Sequence, residues 1–264
     1  MAAIALATGA VATLQAAEEP DLPKLLQTFT DELVKITPGE GKFPAELAIG
    51  ETRVPLKTGF AIAKYEVPQN LFAAVMGENP SKWKGPRNSA EMMTWNEARQ
   101  FCRKLTTLLR ERQLIAANDE IRLPTEIEWE YCCRAGTTTA YSFGDAAQAA
   151  GDEGKKASVL DKYGWHTGNA AGNDPPVGAL KPNPWGLYDV HGYLWEFCSD
   201  PWTESVSSNP APADKTEPPE QIVVRGGSWK DLFDQLTSGS RRKFAVTGRD
   251  DAIGIRCVCA PIKN

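Results

Sequence analysis

Histidine is almost missing from this chain: 264 residues contain two, His166 and His191. An iron centre of two histidines and one carboxylate would consume both. A Ser-His-Asp hydrolase would have to be built from one of them with Ser228. Neither is expected, because a lone histidine is more often a packed or surface group than a ligand. Dense basic clusters are missing as well, and the formal net charge is -5, so no nucleic-acid partner is expected. No apolar run is long enough to span a bilayer. There is no internal repeat, and residues 137–182 sustain neither a helical nor a strand period.

What is present is 22 glycines, 19 prolines and eight tryptophans, with 42% hydrophobic residues. That composition points to a core of large rings joined by turns, in one large domain or two small ones. Residues 1–17 are small and apolar and precede Glu18-Glu19-Pro20, which reads as a secretory signal without its basic leading segment. Export to the periplasm or the exterior is the expectation, and six cysteines suit an oxidising compartment. Residues 18–54 read as a linker carrying a short amphipathic helix over 25–36. Pro68 can open a helix that closes at Gly77. Thr94 with Glu97 and Thr125 with Glu128 form capping boxes ahead of apolar positions at helical spacing. Residues 203–220 read as an exposed loop, and short strands are expected at 221–225, 240–244 and 253–259.

The most irregular stretch runs from Asn183 to Cys198, NPWGLYDVHGYLWEFC, with five large aromatics, two glycines and two spaced carboxylates. No regular period fits it. Asp189 and Glu196, with carbonyls between them, offer the hard oxygen donors that calcium takes. Burying both carboxylates unpaired would be costly; the alternative is exposure, or pairing with arginine.

This run resembles the core signature of the formylglycine-generating enzyme (sulfatase-modifying factor) family. Other segments resemble that family in the same order: Phe60 to Val67, Asn79-Pro80-Ser81, Met93 to Ala98 with Phe101-Cys102, Arg122 to Tyr131, Arg225-Gly226-Gly227-Ser228-Trp229 and Gly254-Ile255-Arg256. The likeness covers roughly residues 55–260 and assigns a domain to 55–264. It implies an irregular α+β fold of the C-type-lectin-like kind, low in regular secondary structure.

The resemblance further implies a structural calcium held by the Asp189 and Glu196 side chains and the Gly192 and Leu194 carbonyls. Tyr193 stands where the family carries asparagine, a position that is not a side-chain ligand. A second calcium seat would fall on Asn169, Asn173 and Asp174. The family pattern also places Cys102 opposite Cys257 as a disulfide, worth roughly 4 kcal/mol in the chain-entropy model; Cys132, Cys133, Cys198 and Cys259 read as buried small apolar groups.

The active members of the family bind copper(I) through two cysteines shortly after the Gly-Gly-Ser-aromatic motif. Here Trp229 is followed by Lys230-Asp231-Leu232-Phe233-Asp234-Gln235-Leu236, with no cysteine. Asp231 stands in the first position, and a carboxylate is a poor ligand for that soft ion, so copper is not expected. Trp195, Ser228, Trp229, Lys230, Asp231, Asp234, Arg241 and Arg242 are expected to border the groove in which relatives hold an extended peptide. The reading is a calcium-stabilised, exported module that binds a peptide, a glycan or a protein. Two alternatives stay open: divergent oxidative chemistry in the same groove, or true formylglycine formation on a sulfatase cysteine.

Overall fold

The structure, a computed structural model, describes residues 21–171, 174–206 and 219–262. The expected signal at 1–17 and most of the expected loop at 203–220 lie outside the described residues. In chain order the elements are α1 (Leu22–Asp31), β1 (Leu33–Ile36), β2 (Glu46–Ile49), β3 (Thr52–Pro55), β4 (Phe60–Ala63), α2 (Gln69–Met76), α3 (Trp95–Glu111), β5 (Asp119–Arg122), α4 (Glu126–Arg134), β6 (Trp195–Pro201), β7 (Gln221–Arg225), β8 (Arg241–Ala245), β9 (Ile253–Gly254) and β10 (Val258–Pro261).

Both capping boxes are made. Thr94 Oγ1 accepts from Glu97 N at 3.2 Å while Glu97 Oε2 accepts from Thr94 N at 2.8 Å. Thr125 and Glu128 repeat the exchange at 3.2 and 2.9 Å, satisfying donors that a helix start otherwise leaves open. Pro68 caps α2, and Gly77, with φ of 86°, closes it by donating its N–H to Ala73 O. The long α3 buries Trp95, Ala98, Phe101, Cys102, Leu105 and Leu109 along one stripe, and Phe101 stacks on Phe72 of α2 at 5.1 Å.

Two four-stranded sheets flank this helical layer, in the orders β1-β4-β10-β5 and β8-β7-β6-β9, and β2-β3 forms a separate hairpin. The first sheet is antiparallel throughout; in the second, β9 runs parallel to β6. This is an α+β arrangement with long irregular connections. Strand β9 is only two residues long, so the expected strand over 253–259 is broken into β9 and β10.

The N-terminal segment corrects the sequence reading. The helix ends at Asp31, and residues 33–36 form β1, whose Val34 and Ile36 pair with Ile62 and Phe60 of β4. A four-residue Leu-Val-Lys-Ile run is too short for periodicity to separate strand from helix, and sheet pairing decides it. Leu26, Phe29, Ile36, Leu47 and Val54 are buried, so residues 22–55 are part of the core packing and not a linker. Among the described residues no helix is long and apolar enough to cross a membrane.

Candidate functional site

The irregular run from Asn183 is held by its own side chains, which bond backbone groups inside and outside it. Asn183 donates from Nδ2 to Cys132 O at 2.8 Å and accepts from Leu187 N at 3.0 Å. His191 is buried: its Nδ1 donates to Leu236 O at 2.9 Å and its Nε2 accepts from Ser142 N at 3.0 Å. Burial pushes that imidazole down to about 4, against the bond to Leu236 O, so it packs as a neutral ring. His166, also buried, donates from Nε2 to Asp161 at 2.8 Å and accepts from Gly168 N at 3.1 Å. Both histidines are occupied, His166 by partners in its own loop and His191 by the distant Ser142 and Leu236.

The two carboxylates of the run part company. Glu196 accepts from Trp129 Nε1 at 2.6 Å and from Arg256 Nε and Nη2 at 3.0 and 2.7 Å. Arg256, itself fully buried, also donates to the carbonyls of Ala63, Lys64 and Tyr188. Glu196 is therefore paired with a buried arginine in this structure. Asp189, at φ of 60°, accepts from Gly178 N at 2.7 Å through Oδ2, while its buried Oδ1 has no partner. Glu66 joins them: Oε1 accepts from Leu194 N at 3.2 Å and Oε2 is buried without a partner. Burial, then the charges of Glu196 and Asp189, raise Glu66 well above the usual carboxylate range.

Three buried carboxylates thus face one guanidinium. For the implied calcium, Asp189 Oδ1 and Glu66 Oε2 fit as donors, whereas Glu196 fits only by releasing Arg256 or Trp129. Among the described residues, no group of three His, Cys, Asp or Glu side chains is gathered to hold a metal. Gly192, an expected carbonyl donor, holds a position closed to other residues. Its φ is 111°, and a Cβ there would meet Trp165 O at 2.4 Å, so only glycine lets the loop pass so close. Of the second calcium set, Asn169 accepts from His166 N and donates to Gly164 O. Asp174 accepts from Asn88, and Asn173 lies outside the described residues.

The copper position fails the same test. Asp231 Oδ2 accepts from Trp195 Nε1 at 2.8 Å, Ser228 N at 3.0 Å and Ser228 Oγ at 2.5 Å, locking the turn that follows the Gly-Gly-Ser-Trp motif. All six cysteines are buried free thiols. Cys102 and Cys257 stand 3.9 Å apart, sulfur to sulfur, but inside the core on the buried face of α3. Burial pushes the Cys133 thiol up to about 12, which opposes thiolate formation. The donor set present does not fit copper(I).

Of the expected groove residues, Trp195, Ser228 and Asp231 are bonded together and Arg242 lies over the Trp195 ring. Trp195 is a core side chain. Ser228 is buried. Arg241 clamps Glu126 with 2.7 and 2.9 Å bonds and lies over Trp202; Arg242 is exposed on β8, and Asp234 is exposed in a 3-10 turn. Trp229 alone of the set lines a cavity of about 370 Å³, with Trp83, Trp165, Ala170, Ala171, Asp174, Pro175 and Tyr193. This volume is typical of small-ligand pockets, roughly 300–1,000 Å³.

Its walls are tied together by charge. Lys82, beside Trp83, and Lys230, beside Trp229, converge on the two oxygens of Asp251, the former at 2.8 Å; Trp229 Nε1 donates to the Asp251 carbonyl at 3.2 Å. Despite partial desolvation, bonds from Lys230 and Lys82 hold Asp251 down to about 2. Behind Trp83, Glu91 Oε1 accepts from Lys82 N at 2.6 Å and Trp83 N at 3.1 Å. Tyr193 occupies the left-handed region, φ 85°, where asparagine is tolerated and a bulky side chain is strained. Its hydroxyl donates to Pro175 O at 2.7 Å and accepts from Ser89 N at 3.3 Å. Strain held at a cavity wall is a mark of a site.

Trp83, Trp165 and Tyr193 as walls, and Glu66 and Arg256 as partners of the calcium-loop carboxylates, were not expected from the sequence. The departure from asparagine at Tyr193 was the one available signal.

The Sulfatase-modifying factor enzyme 1-like domain model matches residues 19–261, which places residues 19–54 inside the domain. The chain is 29% identical over 267 residues to Chaperone protein LppX of Paenibacillus barcinonensis, covering 88% of this chain and 90% of that protein. It is 35% identical over 142 residues to the formylglycine-generating enzyme of Bos taurus, but this covers 52% of the chain and 38% of the enzyme. Treponema denticola variable protein 1 superposes with a TM-score of 0.69 at 25% identity, covering 87% of this chain and 95% of that one. PvdO from Pseudomonas aeruginosa gives 0.63 at 24%, a likeness of fold. The fold is the irregular α+β, C-type-lectin-like one, and the chain belongs to the sulfatase-modifying factor enzyme 1-like domain family.

Proposed function

We propose that this domain is a recognition module of its family and not a formylglycine-forming oxidase, and that the cavity between Trp83, Trp165, Tyr193 and Trp229 is its ligand seat. The observation that carries the reading is the turn after Trp229. Asp231 there fastens Trp195 and Ser228, and all six thiols are buried. An oxygen-activating copper site needs paired thiolates, whereas four aromatic rings around one cavity suit binding. The relative named as a chaperone, aligned along most of both chains, favours a binding role for a peptide or protein; a glycan is the other ligand class.

The reading includes export to an oxidising compartment, where Cys102 and Cys257 would join after a modest closure of their 3.9 Å separation. It also includes a calcium ion seated on Asp189 and Glu66 with the Gly192 and Leu194 carbonyls, offsetting the excess negative charge beside Arg256.

Two measurements test the function. Incubation with copper(I), oxygen and a cysteine-containing sulfatase peptide is expected to leave the cysteine unchanged, and its conversion to formylglycine overturns the reading. Peptide and glycan arrays probed with the wild type and with Trp229→Ala are expected to show signals that the variant loses. Signals indifferent to that substitution would move the ligand seat elsewhere.

A further inference from the structure

We infer that the pocket takes an alkylated ammonium group, a cation without N–H donors such as the choline head; this rests on the reading of the cavity as the ligand seat and names its chemistry. The walls present three indoles and a phenol. The faces of such rings carry negative quadrupole charge and attract weakly hydrated cations.

The surrounding charge has the complementary sign. Asp174 lies in the lining, and Asp250 and Asp251 bind the Lys230 ammonium. Against these three carboxylates stand two ammonium groups, Lys82 and Lys230, which lie over the Trp83 and Trp229 rings at 4.7 and 5.3 Å and leave Trp165, Tyr193 and the opposite indole faces to a ligand. Both are already paired, with Asp251 serving both and Asp250 serving Lys230. A cation entering the pocket meets an acidic surround whose own cations are spoken for.

Hydrogen-bond accounting then selects among cations. A primary ammonium brings three donors and a guanidinium five. Asp174 is the one charged side chain in the lining. It already accepts from Asn88 Nδ2, and the Tyr193 hydroxyl stands 3.3 Å from Oδ1. Donor-rich groups, sugars included, would leave polar atoms unpaired against the indoles at considerable cost. An alkylated ammonium has no donor to satisfy, and needs only the ring faces and the nearby charge.

Calorimetric titration of the full chain tests this with choline, with its neutral carbon isostere 3,3-dimethyl-1-butanol, and with ethanolamine. Choline is expected to saturate and to bind about tenfold tighter than either analogue, the scale of one cation–π-type preference. Asp174→Asn and Trp83→Ala, both at exposed positions, are expected to weaken choline about tenfold while the melting temperature holds. Phosphocholine and N-acetyl-trimethyllysine amide, titrated alongside, separate a lipid or glycan headgroup from a modified protein side chain as the bearer. Equal affinity for choline and dimethylbutanol, or no saturation by choline, overturns the inference. If a Trp229-dependent ligand without an alkylated ammonium emerged from the arrays, the recognition reading would stand and this inference alone would fall.

Discussion

Trp195 and Asp231 are joined across the Gly-Gly-Ser-Trp turn by a 2.8 Å bond from the indole Nε1 to the carboxylate Oδ2. The same oxygen receives Ser228 N and Oγ. Asp231 is thereby the fastening of the turn that presents Trp229 to the cavity.

Asp231→Ala should therefore act on stability and pocket shape together. It leaves the Trp195 indole donor unpaired in a buried setting, at a cost of about 1–3 kcal/mol. Urea unfolding should show a lower midpoint with unchanged slope, and binding through the Trp229 pocket should weaken. Unaltered stability would mean that the turn is held without this carboxylate.

Arg256 presents a different case. Its guanidinium bonds Glu196 and three backbone carbonyls while Glu66 and Asp189 lie close by. Replacing it with methionine strips the one buried cation from three carboxylates. Breaking a buried pair costs about 3–5 kcal/mol, so Arg256→Met should fold poorly or melt well below the wild type. Arg256→Lys should recover little, because an ammonium cannot reproduce the fork that reaches Glu196 and the carbonyls at once.

The orphaned Asp189 Oδ1 and Glu66 Oε2 lead to a metal experiment. If calcium occupies them, excess calcium over chelator should raise the melting temperature, with about 2.7 kcal/mol gained at a hundredfold excess over the dissociation constant. Asp189→Asn should blunt the gain. A melting curve indifferent to calcium and to EGTA sinks the calcium proposal and leaves Arg256 with protonation of Glu66 as the neutralising device.

What could be read in the sequence, and what could not, follows from how far each signal reaches. Thr94-Glu97 and Thr125-Glu128 are local devices, three residues across, and both helices start where those pairs place them. Gly77 and the β7 strand are local in the same sense. Residues 33–36 carry no local signal strong enough to beat the preceding helix, and only the partner strand 27 positions on makes them β1. The pocket is wholly non-local. Trp83, Trp165, Tyr193 and Trp229 come from four loops separated by dozens of residues, and no periodicity links them. Likewise, Glu196 showed that a buried charge needed a partner, but sixty residues separate it from Arg256.

Glu91 supplies the last prediction, on pH. Its carboxyl is buried beneath the Lys82–Trp83 backbone; desolvation raises it to about 7 against the bonds from those two amides, with the charges of Asp251 and Asp174 adding to the rise. Between the ordinary carboxylate value of 4.5 and about 7 the folded chain therefore holds a proton that the unfolded chain has lost. In that window stability falls as pH rises, because the native state binds the extra proton. The contribution is fully present below 4.5 and is gone once pH has passed 7. Asp200, raised to about 6 by its own burial, works in the same direction. His191, lowered to about 4, works oppositely, its neutral ring favouring the fold above the usual imidazole value. The net profile mixes these with Glu66, Asp189 and Asp174, whose carboxyls burial also raises, so the difference between wild type and Glu91→Gln isolates one. Glutamine keeps an acceptor for the Lys82 and Trp83 amides but carries no proton equilibrium. The stability of the variant relative to wild type should rise steadily from pH 5 to about pH 7.5, and a flat difference would show that Glu91 titrates as an ordinary carboxylate.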